Sequence, residues 1–487
     1  MPQPYLRSKV YPIYSPAKGL VLNVPSPFLD TRATPDCQNV RFHDMIVETR
    51  PGYVDYGAGS ITGVPVKFYT YVKEDGTEYE MLATTTNLYY NNSGTWTSIA
   101  ESIGGDIDNR VTMSTMYKAG SYYLCFGSKD IGAKRWNGTT YEAIPGTTNY
   151  KPKIMLPYQF RLIMFNVNES GTDYPIKFRY SCANDFEDWS STGSGSRSLI
   201  QGAGSKIMNA VAIKDYVGIY KDKSITILDY VGGSSIFATS VHVDGTGLLA
   251  QDAIVNLKTS HLFLGNDYNI YEWNGGWELI PIGNAIKNYI KANINKSKKE
   301  RCFAIANYEN TEAHFFIPIG TDDYPTRFLT YNWTDKTWAL NTIASVSGGG
   351  DTKTSGVERT LLGLSGGGIE NYDYSATNDD GSAIDAYFTT PDITINKEEY
   401  KVKRKNFNNV YVDAKGNHLS EYHSFDEGST WSDVDTDALD STSIYNLHAF
   451  NFTGAERNIR FKFRNATLDE KFSVRFVGVE YKERERK

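Results

Sequence analysis

Along most of this chain the apolar residues come in short runs of near alternation, each cut off by Gly, Asn, Asp or Pro. The stretch from Val243 to Tyr289 shows the unit most clearly. His261-Leu262-Phe263-Leu264 is an apolar run, Gly265-Asn266-Asp267 a turn, and Tyr268, Ile270 and Tyr271-Glu272-Trp273 a second run ending at Asn274-Gly275. This pattern predicts a β-hairpin followed by a further tight turn. An isolated hairpin is marginal in water, so a chain made of such units has to stack them or arrange them about an axis to bury their faces.

The same shape recurs in KFYTYV followed by EYEMLATTTNLYYNNSGTWTSI, in SYYLCFGSKDIGAKRWNGTTYEAI, in DYVGIYKDKSITILDY, in CFAIANYENTEAHFFIPIG followed by RFLTYNWTDKTWAL, and in TLLGLSGGGIENYDY. Tyr90, Trp136, Tyr230, Trp273 and Trp333 fall at corresponding places, 46, 94, 43 and 60 residues apart. With one unit skipped in the long gap, this is the spacing of propeller blades, about 40 to 50 residues. The pattern predicts a mostly β protein with a β-propeller of about six blades over residues 60–377. It would be a divergent one, because the Trp-Asp and Gly-His signatures of WD repeats are missing, and stacked β-sandwiches are the alternative arrangement. The glycine runs Gly348-Gly349-Gly350 and Gly366-Gly367-Gly368 read as turns, and neither leads into the Gly-Lys-Ser/Thr of a phosphate loop.

Three segments depart from the repeat. Residues 1–59 form a Pro-rich extended arm with the first strands, too apolar at Tyr11, Ile13, Leu20 and Leu22 for a solvated tail and expected to lie on this chain or on a neighbouring copy. Between 284 and 296, Ile286, Tyr289, Ile290 and Ile294 have helical spacing, with Lys287 and Lys291 on an adjoining face, which predicts one short amphipathic helix. It packs on the propeller side or makes a contact for another subunit; Lys287, Lys291 and Tyr289 are the candidate contact residues. After the polar stretch Tyr374–Ser382, residues 378–487 alternate again and predict a C-terminal β-sandwich.

Composition narrows the functional classes. With 50 Lys+Arg against 57 Asp+Glu, the net charge of -7 gives no bulk attraction to nucleic acid or to anionic membranes. No apolar stretch is long enough for a signal peptide core or a membrane span, so the expectation is a soluble protein made in a cytosol. The four cysteines, Cys37, Cys125, Cys182 and Cys302, lie far apart and read as free thiols in apolar surroundings. Of the seven histidines only His418 and His423 are close, and an offset of five puts them on opposite faces of a strand, against a shared metal site. Basic clusters at Lys296, Lys298, Lys299 and Arg301 and at Lys401, Lys403, Arg404 and Lys405 read as solvated faces or docking points. Ser424-Phe-Asp426-Glu-Gly428-Ser-Thr430-Trp431 matches the Asp-box of sialidases, a hairpin device without chemistry of its own. No catalytic constellation, cofactor or metal site is expected.

The order of elements resembles a known family. The Arg50-Pro51-Gly52 turn, the DYVGIYKDKSITILDYVG hairpin, GTGLLAQDAIV, HLFLGNDYNIYEWNGG, the IPIGNAIKNYI helix, FFIPIG and RFLTYNWTDKTWAL are similar to the β-propeller tail hub or nozzle proteins of short-tailed bacteriophages, also called packaged-DNA stabilisation or tail accessory proteins. The similarity is sharpest over 215–340. It implies a structural virion protein, not an enzyme, made in the host cytoplasm. Several copies, usually six, would form a ring below the portal and adaptor, close the DNA channel, and seat a needle, plug or fibres. DNA would pass without specific binding, and an acidic wall suits that passage because few phosphates are neutralised. A carbohydrate-binding propeller, lectin or sialidase-like, is the alternative suggested by the aromatics and the Asp-box.

Overall fold

The computed structural model describes residues 8–395, 404–432 and 435–483. It is mostly β, and its larger part is a run of four-stranded antiparallel sheets. Six of these are continuous in sequence, spanning 65–100, 112–143, 150–198, 207–244, 254–281 and 303–342. A seventh is composite. Its strands Val346–Thr354, Val357–Leu364 and Ile369–Asp373 are completed by Gly52–Asp55 from the other end of the sequence, with Tyr53 opposite Tyr372. The first strand of each sheet touches the first strand of the next, and the last sheet meets the first where Gly349 pairs in parallel with Lys67. The sheets therefore close into a propeller-like ring. The ring thus has seven sheets among the described residues, where the spacing of repeats predicts about six blades, and the seventh has only three strands of its own.

The recurrent aromatics lie on the third strands or at their ends, and Trp136 and Trp273 act as wedges between sheets. Trp136 of the second sheet stacks on Tyr90 and lies tilted against Tyr71 of the first. Trp273 of the fifth meets Tyr220 of the fourth edge-on at 5.7 Å, over a strand that leaves room for it at Gly218, where a Cβ would stand 2.7 Å from the indole. Burying an aromatic of this kind contributes about 2–3 kcal/mol, so each wedge ties two sheets that no backbone ladder joins. The unit skipped in the 94-residue gap is the third sheet, whose third strand Thr172–Tyr180 ends in Tyr180, packed at 5.0 Å on Phe237 of the fourth.

One expected turn is a strand. Gly348, Gly349 and Gly350 lie inside Val346–Thr354 on the inner side of the ring. A Cβ at Gly348 would fall 2.2 Å from the Val66 carbonyl oxygen, and one at Gly349 2.5 Å from Ile305. Glycine serves close backbone approach here, where the ring closes. Gly366-Gly367-Gly368 does form a turn, before Ile369–Asp373.

The C-terminal part consists of two antiparallel sheets that share a core, and both incorporate strands from the N-terminal arm. Lys405–Gly416, Asn446–Glu456 and Phe472–Glu483 are joined by Lys9–Pro12, Val40–His43 and Ile46–Thr49. Ala386–Thr389, His418–Ser424, Asp435–Ala438 and Arg460–Asn465 are joined by Cys37–Gln38. Val410, Val412 and Val477 from one sheet and Leu419, Phe461 and Phe463 from the other are fully buried in the same cluster. Residues 8–59 thus lie on this chain. They divide between the C-terminal sheets and the seventh sheet of the ring, because their short apolar runs fill open strand edges.

Arg50 pins this crossing point. Its guanidinium makes a two-pronged ion pair with Asp379 at 2.8 and 2.6 Å and donates to the Thr342 and Pro51 carbonyls. Its Nε donates to Asn39 Oδ1, which also accepts the Thr342 amide. Gly52 follows with no room for a side chain, since a Cβ would lie 1.8 Å from the Asn378 carbonyl oxygen.

Candidate functional site

The helix expected over 284–296 forms over Lys287–Asn293, with Ile286, Ile290 and Ile294 buried as a stripe four residues apart. It sits in the connection between the fifth and sixth sheets and is held from the arm side, where the Leu22 amide donates to the Ala285 carbonyl. Its three candidate contact residues fare differently. Tyr289 is half-buried against the common core, and burial raises its phenol pKa. Lys287 is tied to Asp267 at 2.6 Å. Burial works to raise the pKa of that carboxyl, and hydrogen bonds from Lys287 and Tyr271 bring it below its ordinary value. Of the three, Lys291 is the exposed one, on the last turn. One lysine therefore remains for a partner, and the second reinforces the fold.

The mouth of the ring axis, where the first strands begin, is where a propeller most readily gathers groups for chemistry. Here it is filled. Arg110 is 1% exposed and reaches across the ring to the carbonyls of Arg301 at 3.0 Å and Ser347 at 2.9 Å, on the sixth and seventh sheets. Its guanidinium lies over the Phe303 ring and 3.7 Å from Asp252, which also pairs with Lys67. Gln251 donates to the Arg110 carbonyl, and Asn209 in turn to that of Gln251. Burial lowers the Arg110 pKa, with Asp252 acting against that shift. Arg301, from the basic cluster after the helix, is bound to Asp108 and stacked on Tyr324. Lys298 pairs with Asp323 and Lys206 with Glu300. Lys153 is also buried here, and desolvation lowers its pKa. Sequence reading missed Arg110, Gln251 and Asp252, because nothing local distinguishes a polar residue at a strand start that will face the axis.

The other candidate chemistry is dispersed. No group of three or more His, Cys, Asp or Glu fit for a metal occurs among the described residues. His418 faces Glu470, whereas His423 faces Ser432 and Glu421. His261 is enclosed, its Nε2–H donating to the Ala212 carbonyl and its Nδ1 accepting from Tyr220, and burial lowers its pKa to about 4. His314 is buried as well and lowered to about 3, by desolvation first and then by Arg41 and Arg50. Cys37, Cys125 and Cys302 are buried with raised thiol pKa values, and Cys182 is half-buried. Arg404 lies beside Glu456, whereas Lys401 and Lys403 of the second basic cluster lie outside the described residues.

The Asp-box closes the hairpin between His418–Ser424 and Asp435–Ala438. Asp426 accepts from the Thr430 amide at 2.8 Å and hydroxyl at 2.6 Å and from the Ser424 hydroxyl at 2.7 Å. Led by the Thr430 bonds, these hold its carboxyl at about 2. Gly428 takes φ +86°. The motif is a turn lock at the surface of the C-terminal sheets.

Neither a protein-family model nor a curated protein matches this sequence. Among solved structures the chain is similar to PorZ, a surface component of the type-IX secretion system of Porphyromonas gingivalis, at 10% identity and TM-score 0.37 over 69% of this chain and 42% of PorZ. It is similar to the BBS1N chain solved with ARL6DN at 8% identity and TM-score 0.43, over 67% of this chain and 99% of that one. It is also similar to an exo-β-1,3-galactanase of Phanerochaete chrysosporium at 10% identity and TM-score 0.29, over 88% of this chain and all of that one. The galactanase is an enzyme, but at that distance nothing of its activity transfers. No helix among the described residues is long and apolar enough to cross a membrane.

Proposed function

We propose that this chain is a structural, non-enzymatic protein of a short-tailed phage virion, a tail hub or nozzle subunit built as a seven-bladed β-propeller with a C-terminal β-sandwich. Several copies, usually six in the family it resembles, ring the DNA channel below the portal and adaptor and seat a needle, plug or fibres; the chain is made in the host cytoplasm. The observation that supports this most is the axial mouth. Arg110 spans from the second sheet to the sixth and seventh and donates to backbone carbonyls there, its Nε being left without a partner among the described residues. A mouth packed in this way favours a scaffold that works through its outer surfaces, in line with the sequence resemblance over 215–340. The arm woven into the C-terminal sheets adds rigidity suited to a ring under load.

The test is assembly on a template. With a net charge of -7, the purified chain is expected to remain monomeric or weakly oligomeric and to form a ring when mixed with a portal–adaptor complex, read by light scattering and negative-stain imaging. Lys291→Glu probes the helix cleanly, because Lys287 is engaged with Asp267. Unchanged assembly in that variant removes the helix from the interface. A wild-type chain that ignores the portal–adaptor complex refutes the hub reading.

A further inference from the structure

The hairpin tips of the second and third sheets enclose a groove of about 410 Å³, walled by Tyr117, Tyr122, Tyr158 and Phe160, with Gln159 and Asn184 beside them. This volume lies in the range of small-molecule sites, about 300–1,000 Å³. Phe160 is 74% exposed and Tyr117 55%. Tyr117 and Tyr122 lie against each other at 5.1 Å, and the Tyr158 hydroxyl donates to the Asp215 carbonyl at 2.7 Å. The Asn184 amide N–H donates to the Phe160 carbonyl at 2.8 Å.

The turn that carries Phe160 is the telling feature. Tyr158 pairs with Arg161, so the loop has two residues, and both Gln159 and Phe160 have positive φ, +49° and +57°. Asn-Gly is the pair that fits such a turn without strain, and a bulky aromatic is among the poorest choices. An exposed phenylalanine kept in a strained turn serves neither the fold nor solubility, which points to a binding role.

The lining also defines the ligand. It offers aromatic faces, two side-chain amides and hydroxyls, and no charged group; the nearby Lys118 is paired with Asp185 and Glu187. Aromatic rings stack on the C–H faces of sugars, and amides and hydroxyls exchange hydrogen bonds with their hydroxyl groups. We propose that the groove between the second and third sheets binds a neutral oligosaccharide chain. This does not depend on the hub reading, since it concerns an outer face that either a virion protein or a free lectin could use.

The experiment is an array of neutral and acidic glycans, followed by calorimetric titration of the full chain with the strongest neutral hexasaccharide, with a sulfated heparin hexasaccharide and a Pro-rich decapeptide as comparisons. Phe160→Gly is the decisive variant: it relieves the turn, so the thermal midpoint holds or rises, while loss of one stacked face weakens glycan binding by about tenfold or more. Tyr117→Ala is expected to weaken binding similarly, and Trp277→Ala, an exposed aromatic of the fifth sheet stacked on His242, to leave it unchanged. The proposal is overturned if no neutral glycan binds, if binding survives Phe160→Gly, if Trp277→Ala removes it instead, or if only the peptide or the sulfated sugar binds.

Discussion

Replacing Arg50 by methionine tests whether the crossing point between ring and C-terminal sheets holds the molecule together. The side chain is 1% exposed and its partner Asp379 13%. The substitution keeps most of the volume but leaves the Asp379 carboxylate without its counter-charge and the Thr342 and Pro51 carbonyls without a donor. Removing one member of a buried ion pair costs about 3–5 kcal/mol, mostly through the charge left behind. Since that charge is the cause, Arg50→Met/Asp379→Leu is expected to recover at least about 2 kcal/mol of the loss, as replacement of a whole buried pair by apolar groups often does. Urea denaturation followed by tryptophan emission gives the three stabilities, and hydrogen exchange over 37–55 shows whether the loss begins at the crossing. A loss below about 1 kcal/mol in the single variant, or a double variant no more stable than the single, refutes the assignment.

Further outcomes follow from the buried titratable groups and the turn lock. His261 is lowered to about 4 when folded, against 6.5 unfolded, so its contribution is complete above about pH 6.5 and falls away toward pH 4, by up to about 3 kcal/mol. Urea midpoints that differ between wild type and His261→Gln by the same amount at pH 7 and pH 4.5 would contradict this. Glu370 acts in the opposite sense: burial first, then Asp380, Asp55 and Asp379, raise its carboxyl to about 7, and its Oε2 accepts no hydrogen bond among the described residues. Its folded form is favoured below about pH 4.5, and stability declines as pH rises through 7; Glu370→Gln should therefore gain on the order of 3 kcal/mol at pH 8 and little at pH 4, and an equal effect at both excludes the mechanism. Asp426→Ala is expected to speed amide exchange within 423–432 and create no change in glycan hydrolysis; a sialidase activity in the wild type that vanishes in the variant would make the Asp-box catalytic.

Much of this protein was legible from local pattern. Alternation and tight turns specify hairpins because side-chain direction in a strand has a period of two, and the stripe Ile286, Ile290 and Ile294 specifies its helix in the same way. The Asp-box predicts its own turn because the bonds by which Ser424 and Asp426 close it lie within seven residues, from Ser424 to Thr430. Tertiary structure decided what those elements join. Gly52–Asp55 closes the ring against Ile369–Asp373, residues 9–49 complete the C-terminal sheets, and Gly348–Gly350 is a strand because it pairs with Leu361, Leu362 and Gly363. Lys287 turned inward to Asp267 while Lys291 stayed exposed, and Arg110 found its acceptors on two sheets far along the chain. Periodicity fixes which face of a segment is buried, but not which surface buries it. That choice is made by contacts between residues hundreds of positions apart, whose energies enter only once the ring has closed.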